Sequence, residues 1–341
     1  MRVSGKATRQ AIVAALIGVL AVTSLAVAGD RPSGELGPRG PATACVYSYN
    51  RISILRQFDR LVGREMKCAL VYNDAAPSWS GWEQPWFTRR IQPDLDWGAW
   101  ATKPGADRQL VITQNLFPRT LNNKGWLVAG ARGDYTPHAK ALAQNLVRAG
   151  LGHSVIRLAH EANGTWYPYS LGKTQHDFRL WRQFWRRTVI AMRSVPGAHF
   201  KFDWCVNGGP RPIPLSDYYP GDDVVDVIGV DAYDAGVPRN QTGWQSVWSR
   251  PNGLNQIVRF AQAHDKPISV PEWGIAPRTT SQSAGDDPQY VNGIASLAHR
   301  ATLAYQSYFY AHAWASQLRF GKRSLAAYRL HFGAKGDAAG R

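Results

Sequence analysis

Short apolar runs alternate with amphipathic stretches along most of this chain. Eight runs read as strands: Cys45–Tyr49, Cys68–Tyr72, Gln109–Thr113, Ser154–Ala159, His199–Val206, Val224–Asp231, Pro267–Val270 and Tyr305–Trp314. Several are almost continuously apolar, as strands buried on both faces of a parallel sheet are. Between them apolar residues recur at helical spacing over Ile52–Glu65, Tyr135–Ala149, Phe178–Arg193, Leu254–His264 and Tyr290–Leu303. On the third of these, Phe178, Trp181, Trp185 and Met192 form one stripe, and Arg179, Arg182, Arg186 and Arg187 lie on the opposite face. Strands and helices alternating at this spacing imply a parallel sheet, and eight such units close a barrel. The expected fold is α/β, a single (β/α)8 TIM barrel.

The chain before the first strand follows a different pattern. Arg2, Lys6 and Arg9 precede an uncharged run, Ala11–Ala28, that closes on Ala26-Val27-Ala28. Residues 1–28 therefore read as a secretory signal peptide, with an uncleaved anchor as the competing reading. Residues 29–42, rich in Pro and Gly, read as a flexible linker, 43–318 as the barrel and 319–341 as a basic C-terminal tail. The expected location is extracellular or tethered to the envelope, with membrane contact only if the N-terminal segment is retained. A monomer is expected.

The charge balance is strongly basic, with 40 Lys and Arg against 24 Asp and Glu and a formal net charge of +16. Such a surface could attract anionic wall polymer, nucleic acid or lipid headgroups. The helical cations cover an apolar stripe, however, and the tail lacks the aromatic interleaving of a single-strand platform, so nucleic acid is not expected as a partner. Of the three cysteines, Cys45 and Cys68 are close enough in sequence for a bridge if the chain is exported. Cys205 lies inside Phe200–Val206 and reads as a buried free thiol. Their spacing fits no zinc pattern, and no cofactor or metal is implied.

In barrels of this kind the chemistry sits at the carboxyl ends of the strands. Those ends carry Tyr49 and Asn50, Asn73 and Asp74, Gln114 and Asn115, His160 and Glu161, Asn207, Asp231 and Tyr233, Glu272 and Trp273, and Trp314. Two motifs stand out, His160-Glu161-Ala162-Asn163-Gly164-Thr165-Trp166 after the fourth strand and Pro271-Glu272-Trp273-Gly274 after the seventh. Each puts a carboxylate where an apolar strand runs out, and one parallel sheet would bring both to one rim. A retaining glycosidase needs such a pair, one carboxyl held protonated and one ionised, about 5–5.5 Å apart. Burial and a second carboxylate would raise the pKa of Glu161, and a hydrogen bond from Tyr233 would keep Glu272 ionised. A salt bridge closing a barrel loop is the alternative for either Glu taken alone. His160 could be a metal ligand, but the second histidine of H-E-x-x-H is missing.

The motif His160-Glu161-Ala162-Asn163-Gly164-Thr165-Trp166 resembles the acid/base motif of glycoside hydrolase family 26, the β-mannanase family, which places His before the acid where most of its clan places Asn. The resemblance runs from about Cys45 to Trp314. It implies Glu161 as general acid/base, Glu272 as nucleophile, Tyr233 as the residue that orients the nucleophile, and Trp166 and Trp314 as sugar platforms. From their place at the strand ends, His160, Trp273 and Asn115 are also expected to line the substrate site. The implied activity is that of a retaining, endo-acting β-glycanase, mannan endo-1,4-β-mannosidase-like, with a polysaccharide or oligosaccharide as substrate. At the end of strand three the chain departs from the family, with Gln114-Asn115-Leu116 where mannanases carry a Trp-His pair.

Trp79, Trp82, Trp86, Trp97 and Trp100 crowd a stretch otherwise rich in Gly, Pro and polar residues. Exposed indoles stack well on the apolar faces of sugars, so Trp79, Trp82 and Trp86 are expected to bind substrate. A loop packed on its own tryptophans is the competing reading. A non-catalytic carbohydrate-binding or wall-adhesion protein on the same scaffold is the alternative function.

Overall fold

Eight strands pair in chain order, all parallel, and the last closes on the first, β1-β2-β3-β4-β5-β6-β7-β8. A computed structural model describes residues 43–73, 76–89, 92–121, 125–209, 213–237, 241–276, 285–310 and 321–333. The signal-peptide and linker expectations, Asp74 and Trp314 lie outside the described residues. The strands are β1 Thr43–Tyr47, β2 Cys68–Tyr72, β3 Gln109–Gln114, β4 Val155–Leu158, β5 Lys201–Asn207, β6 Val227–Asp234, β7 Ile268–Ile275 and β8 Leu303–Phe309. The helices are α1 Ile52–Val62, α2 Trp79–Glu83, α3 Trp97–Ala101, α4 Trp126–Arg132, α5 Thr136–Arg148, α6 Gln175–Arg193, α7 Leu215–Tyr218, α8 Gly243–Ser249, α9 Leu254–Ala263, α10 Pro288–Ser296 and α11 Lys322–Phe332.

The expected (β/α)8 barrel is thus observed, and local chemistry sets its element ends. Helix α6 starts at a capping box in which Thr174 and Asp177 satisfy each other's backbone N–H groups, and it buries the predicted stripe of Phe178, Trp181, Trp185 and Met192. Helix α1 stops at Gly63, which adopts the left-handed conformation that glycine tolerates best. Expected and observed ends differ at several elements, β7 among them, which runs from Ile268 to Ile275 where Pro267–Val270 was expected. β6 runs on to Asp234, which leaves Asp231 inside the barrel instead of at its rim. The helix expected to reach Leu303 ends at Ser296, because Leu303 already pairs in β8. Part of the expected basic tail, Lys322–Phe332, is α11, anchored by Tyr328 and Phe332 one helical turn apart, with Tyr328 packed on Phe58, Tyr308 and Trp273.

The barrel interior is layered. Cys45, Cys68, Leu70, Val111, Val155, Val227, Ala304 and Tyr305 form a buried cluster separate from the larger core under the helices. Cys45 and Cys68 are register partners on β1 and β2 and are disulfide-bonded, as expected from their spacing. Above this layer the interior turns polar. Asp203 accepts from Ser269 Oγ at 2.6 Å and Tyr305 OH at 2.5 Å, and burial pushes its carboxyl up to about 6. Gly229 is required here, since a Cβ would lie 2.5 Å from Asp203 Oδ1.

Candidate active site

Strand parity and one bulge decide which side chains meet at the carboxyl end of the barrel. Successive side chains point to opposite faces, so Val227, Gly229, Asp231 and Tyr233 all face the interior. On β7 the same rule would put Ser269, Pro271 and Trp273 inside and Glu272 outside. The register prevents it: Gly229 pairs with Ser269 and Ala232 with Trp273, so three steps along β6 match four along β7. The extra residue falls between Val270 and Trp273, at Pro271-Glu272, and Pro271 has no backbone N–H to lose from the ladder. The bulge turns Glu272 inward and Trp273 outward.

Trp273 is consequently buried under the helices. Its ring packs at 4.9 Å on Tyr308 and 6.0 Å on Tyr328, and its indole N–H donates to Gln306. This corrects the expectation that Trp273 lines the substrate site.

Glu272 is held by three donors. Arg157 Nη1 donates to its Oε1 at 2.6 Å, Tyr72 OH donates to the same oxygen, and Tyr233 OH donates to Oε2 at 2.7 Å. Tyr233 therefore stands where the resemblance implied. Arg157, fully buried on β4, also donates through Nη2 to Asp231 and to Cys205 Sγ at 3.4 Å. Burial works against the guanidinium charge, but Asp231, Cys205 and Glu272 more than reverse it and hold its pKa well above the ordinary value. Burial and the neighbouring Glu272 raise the phenols of Tyr72 and Tyr233, so both remain donors. Burial likewise pushes the Cys205 thiol up, in keeping with the inert buried thiol expected there.

Glu161 reaches the same space by a different device. After β4 the chain enters the left-handed region at Ala159 and again at Glu161, each with φ 52°. Non-glycine residues pay roughly 1–3 kcal/mol for such conformations, so neighbouring strands must enforce them. They do: the Ala159 N–H donates to the Gln114 carbonyl at 2.8 Å, and the Glu161 N–H to the Cys205 carbonyl at 2.9 Å. The Asn163 side chain clamps the turn to β5, donating to the Asn207 carbonyl and accepting from the Asn207 N–H, both at 2.9 Å. The Asn207 side chain is thereby aimed at Glu161 Oε1, 2.5 Å away, while Trp166 Nε1 donates to Oε2 at 2.9 Å.

The two carboxylates thus have unlike surroundings, one beside a cation and the other beside neutral donors. Burial, and then the negative charge of Glu272, raise the Glu161 pKa, against the pull of Asn207, Arg157 and Trp166.

The remaining expected site residues divide. Trp166 is 54% exposed beside Glu161, as a sugar platform should be. His160 is fully buried, with Nε2 2.7 Å from Tyr167 OH and Nδ1 3.1 Å from Tyr169 OH, so its ring nitrogens serve tyrosines instead of substrate. Burial and Arg157 push its pKa well below the ordinary value, which leaves the ring neutral. Asn115 is also buried, its carbonyl accepting from Trp82 Nε1 at 2.9 Å.

The tryptophan stretch folds into short helices whose indoles peg it to the strand ends. Trp82 is only 1% exposed, Trp86 Nε1 donates to the Tyr72 carbonyl at 3.1 Å, and Trp97 Nε1 donates to the Asn50 carbonyl at 2.8 Å. Trp79 is stacked face to face on His138 at 3.7 Å. Trp82 is therefore a core residue, which corrects its expected place as an open platform, while Trp79 and Trp86 are half-buried and anchored to His138 and to the Tyr72 carbonyl. Sequence reading missed Arg157 and Tyr72. The signal for Arg157 was one charge inside an otherwise apolar strand; Tyr72 gave none beyond ending its strand.

The model for glycosyl hydrolase family 26 matches residues 134–272, a span that begins just before α5 and ends at Glu272. A beta-1,3-xylanase from an Alcaligenes species is 27% identical over 203 residues, covering 55% of this chain and 39% of the relative. A mannan endo-1,4-beta-mannosidase from Bacillus subtilis is 26% identical over 144 residues, covering 41% of this chain and 34% of the relative. The chain thus spans well under half the length of these curated relatives. Among solved structures, Bacillus subtilis mannanase man26 superposes with a TM-score of 0.55 at 16% identity, covering 86% of each chain. A modular endo-beta-1,4-mannanase from Cellulomonas fimi superposes with a TM-score of 0.56 at 18% identity, covering 79% of this chain and 65% of its own. These neighbours share the barrel fold, and over residues 134–272 the chain is similar to glycosyl hydrolase family 26.

Proposed function

We propose that this chain is an exported, retaining β-glycanase that cuts within a β-linked polysaccharide such as β-mannan. Glu272 is the nucleophile, and Glu161 acts first as acid and then as base. The observation that carries this reading is the contrast between the two carboxylates. Glu272 accepts from one guanidinium and two phenols, an environment that stabilises an anion and fixes both oxygens for attack. Glu161 is buried with only neutral donors and is raised by its neighbour, as a group that must carry a proton near neutrality requires.

In the first step Glu272 attacks the anomeric carbon while Glu161 gives its proton to the departing glycosidic oxygen. In the second step Glu161, now ionised, takes a proton from water, which displaces Glu272. Arg157 and the two phenols hold the leaving carboxylate in place. No cofactor enters either step. Export is supported by the Ala11–Ala28 run and is compatible with the Cys45–Cys68 bridge.

The curated relatives bear the names of a xylanase, an endoglucanase and mannosidases, so the backbone is tested directly. Purified protein incubated with β-1,4-mannan, β-1,3-xylan and mixed β-glucan should release reducing ends from at least one polymer, and the Glu272→Ala variant from none. Binding without release by the wild-type protein would leave the non-catalytic carbohydrate-binding reading in place.

A further inference from the structure

The motifs leave one part of the rim unused. Five large apolar side chains are prominently exposed among the described residues, and two of them sit at strand ends on the active rim, Trp166 after β4 and Tyr49 after β1. Trp166 bonds to Glu161. Tyr49 leads to the other carboxylate through a chain of rings. Its ring lies 6.2 Å from Tyr47, Tyr47 packs edge-on at 4.9 Å against Tyr72, and the Tyr72 hydroxyl donates to Glu272. Phe309, at the end of β8, packs at 4.5 Å on Tyr47 and edge-on against Tyr72 and Tyr233, the two phenols that hold Glu272. Tyr47 and Phe309 are only partly buried.

The backbone beneath this wall takes an uncommon conformation. Tyr49 has φ 54° and Asn50 φ 57°, two consecutive non-glycine residues in the left-handed region. Such a conformation is rare for a bulky side chain and must be imposed by surrounding bonds. Here the Tyr72 N–H donates to Asn50 Oδ1 at 2.9 Å, Trp97 Nε1 donates to the Asn50 carbonyl at 2.8 Å, and the Arg51 N–H donates to the Ser48 carbonyl at 2.9 Å. The fold thus bears a backbone cost to hold a tyrosine that remains 37% exposed at the rim.

We propose that Tyr49, with Tyr47 and Phe309 behind it, is a stacking site for the glycone, the sugar units on the non-reducing side of the cleaved bond. The assignment rests on the proposed function, because it uses the roles of the two carboxylates. The sugar attacked by Glu272 lies on the nucleophile side, and the leaving sugar lies beside the acid. Trp166 then serves the leaving side and the tyrosine wall the glycone side. Tyr47 and Phe309 flank the attacked pyranose, and Tyr49, one ring further from Glu272, stacks on the next unit out. The ligand class is a neutral β-linked pyranose chain, whose C–H faces suit aromatic rings.

The test uses aryl β-glycosides of the polymer that the wild-type enzyme hydrolyses, one with a single sugar as glycone and one with two. Tyr49→Ala should lower kcat/KM about tenfold on the disaccharide glycone and less than twofold on the monosaccharide. Tyr49→Phe should retain wild-type values on both. Tyr49→Gly should lose the same disaccharide preference while melting no lower than Tyr49→Ala, since glycine accepts φ 54° without strain. Equal losses on both substrates, or none on either, would overturn the assignment. Should the wild-type protein hydrolyse nothing, the proposed function fails separately. Calorimetric binding of mannotriose to wild type and Tyr49→Ala would still decide the stacking site, supporting it if affinity falls about tenfold and overturning it if affinity is unchanged.

Discussion

Replacing Arg157 with Met tests whether the barrel interior is built around the nucleophile. Met approximates the length of the side chain but removes its charge and its donors, so Asp231 and Glu272 lose the cation they share. Both partners of each ion pair are almost wholly buried, and breaking such a pair by deleting one member costs about 3–5 kcal/mol. The loss should also depend on pH. Burial holds the Asp231 carboxyl well above its ordinary range even against Arg157; without the guanidinium it rises further, so the native variant keeps that proton to a higher pH than native wild type or the unfolded chain does. A native state that binds more protons loses stability as pH rises. The deficit against wild type therefore grows by about 1.4 kcal/mol for each pH unit over which the variant holds one proton more. Asp203 acts in the same direction, because burial already raises its carboxyl to about 6 and Arg157 is one of the groups that oppose the rise. Denaturant unfolding of both proteins near pH 5 and near pH 8 gives the two differences. A deficit below about 1 kcal/mol, or one that does not change between the two pH values, would refute the claim that Arg157 neutralises this carboxylate cluster.

Glu161→Ala should still form the glycosyl-enzyme from substrates with activated leaving groups, then accumulate it, and azide should restore turnover; wild-type rates on polysaccharide would exclude Glu161 as the acid. Asn207→Ala removes a hydrogen bond that favours the ionised form of Glu161, so the Glu161 pKa should rise further and the alkaline limb of kcat/KM should move to higher pH. An unmoved or lowered limb would count against that role. Trp82→Ala should cost about 3–5 kcal/mol of stability, as truncation of a fully buried indole does. A selective loss of affinity for long oligosaccharides with unchanged melting would restore the platform reading.

The barrel was legible from periodicity, because strands buried on both faces announce themselves as apolar runs and the helices between them keep one apolar stripe. Glu161 and Glu272 were legible because a carboxylate that ends such a run needs a reason. What the sequence hid depends on local backbone geometry. Alternation would have turned Glu272 away from the barrel, and only the bulge at Pro271-Glu272 brings it in and sends Trp273 out. The tryptophan-rich stretch looked like an array of platforms because composition reports how many indoles are present, not which way they point; three of them spend their N–H groups on strand-end carbonyls. His160 sits in a motif beside Glu161, yet Tyr167 and Tyr169, further along the same loop, occupy both its nitrogens. Tyr49 was visible as a strand end, but its place in a ring chain leading to Glu272 depends on contacts among β1, β2 and β8 that no local pattern encodes.

The most direct test of the central claim is to trap the covalent intermediate. An activated fluorosugar forms a glycosyl-enzyme that water releases slowly, so intact mass should increase by one sugar residue and peptide mapping should place the label on Glu272. A label on Glu161 or Asp231, or no label together with inverted product in the early NMR spectra, would contradict the assignment of Glu272 as nucleophile.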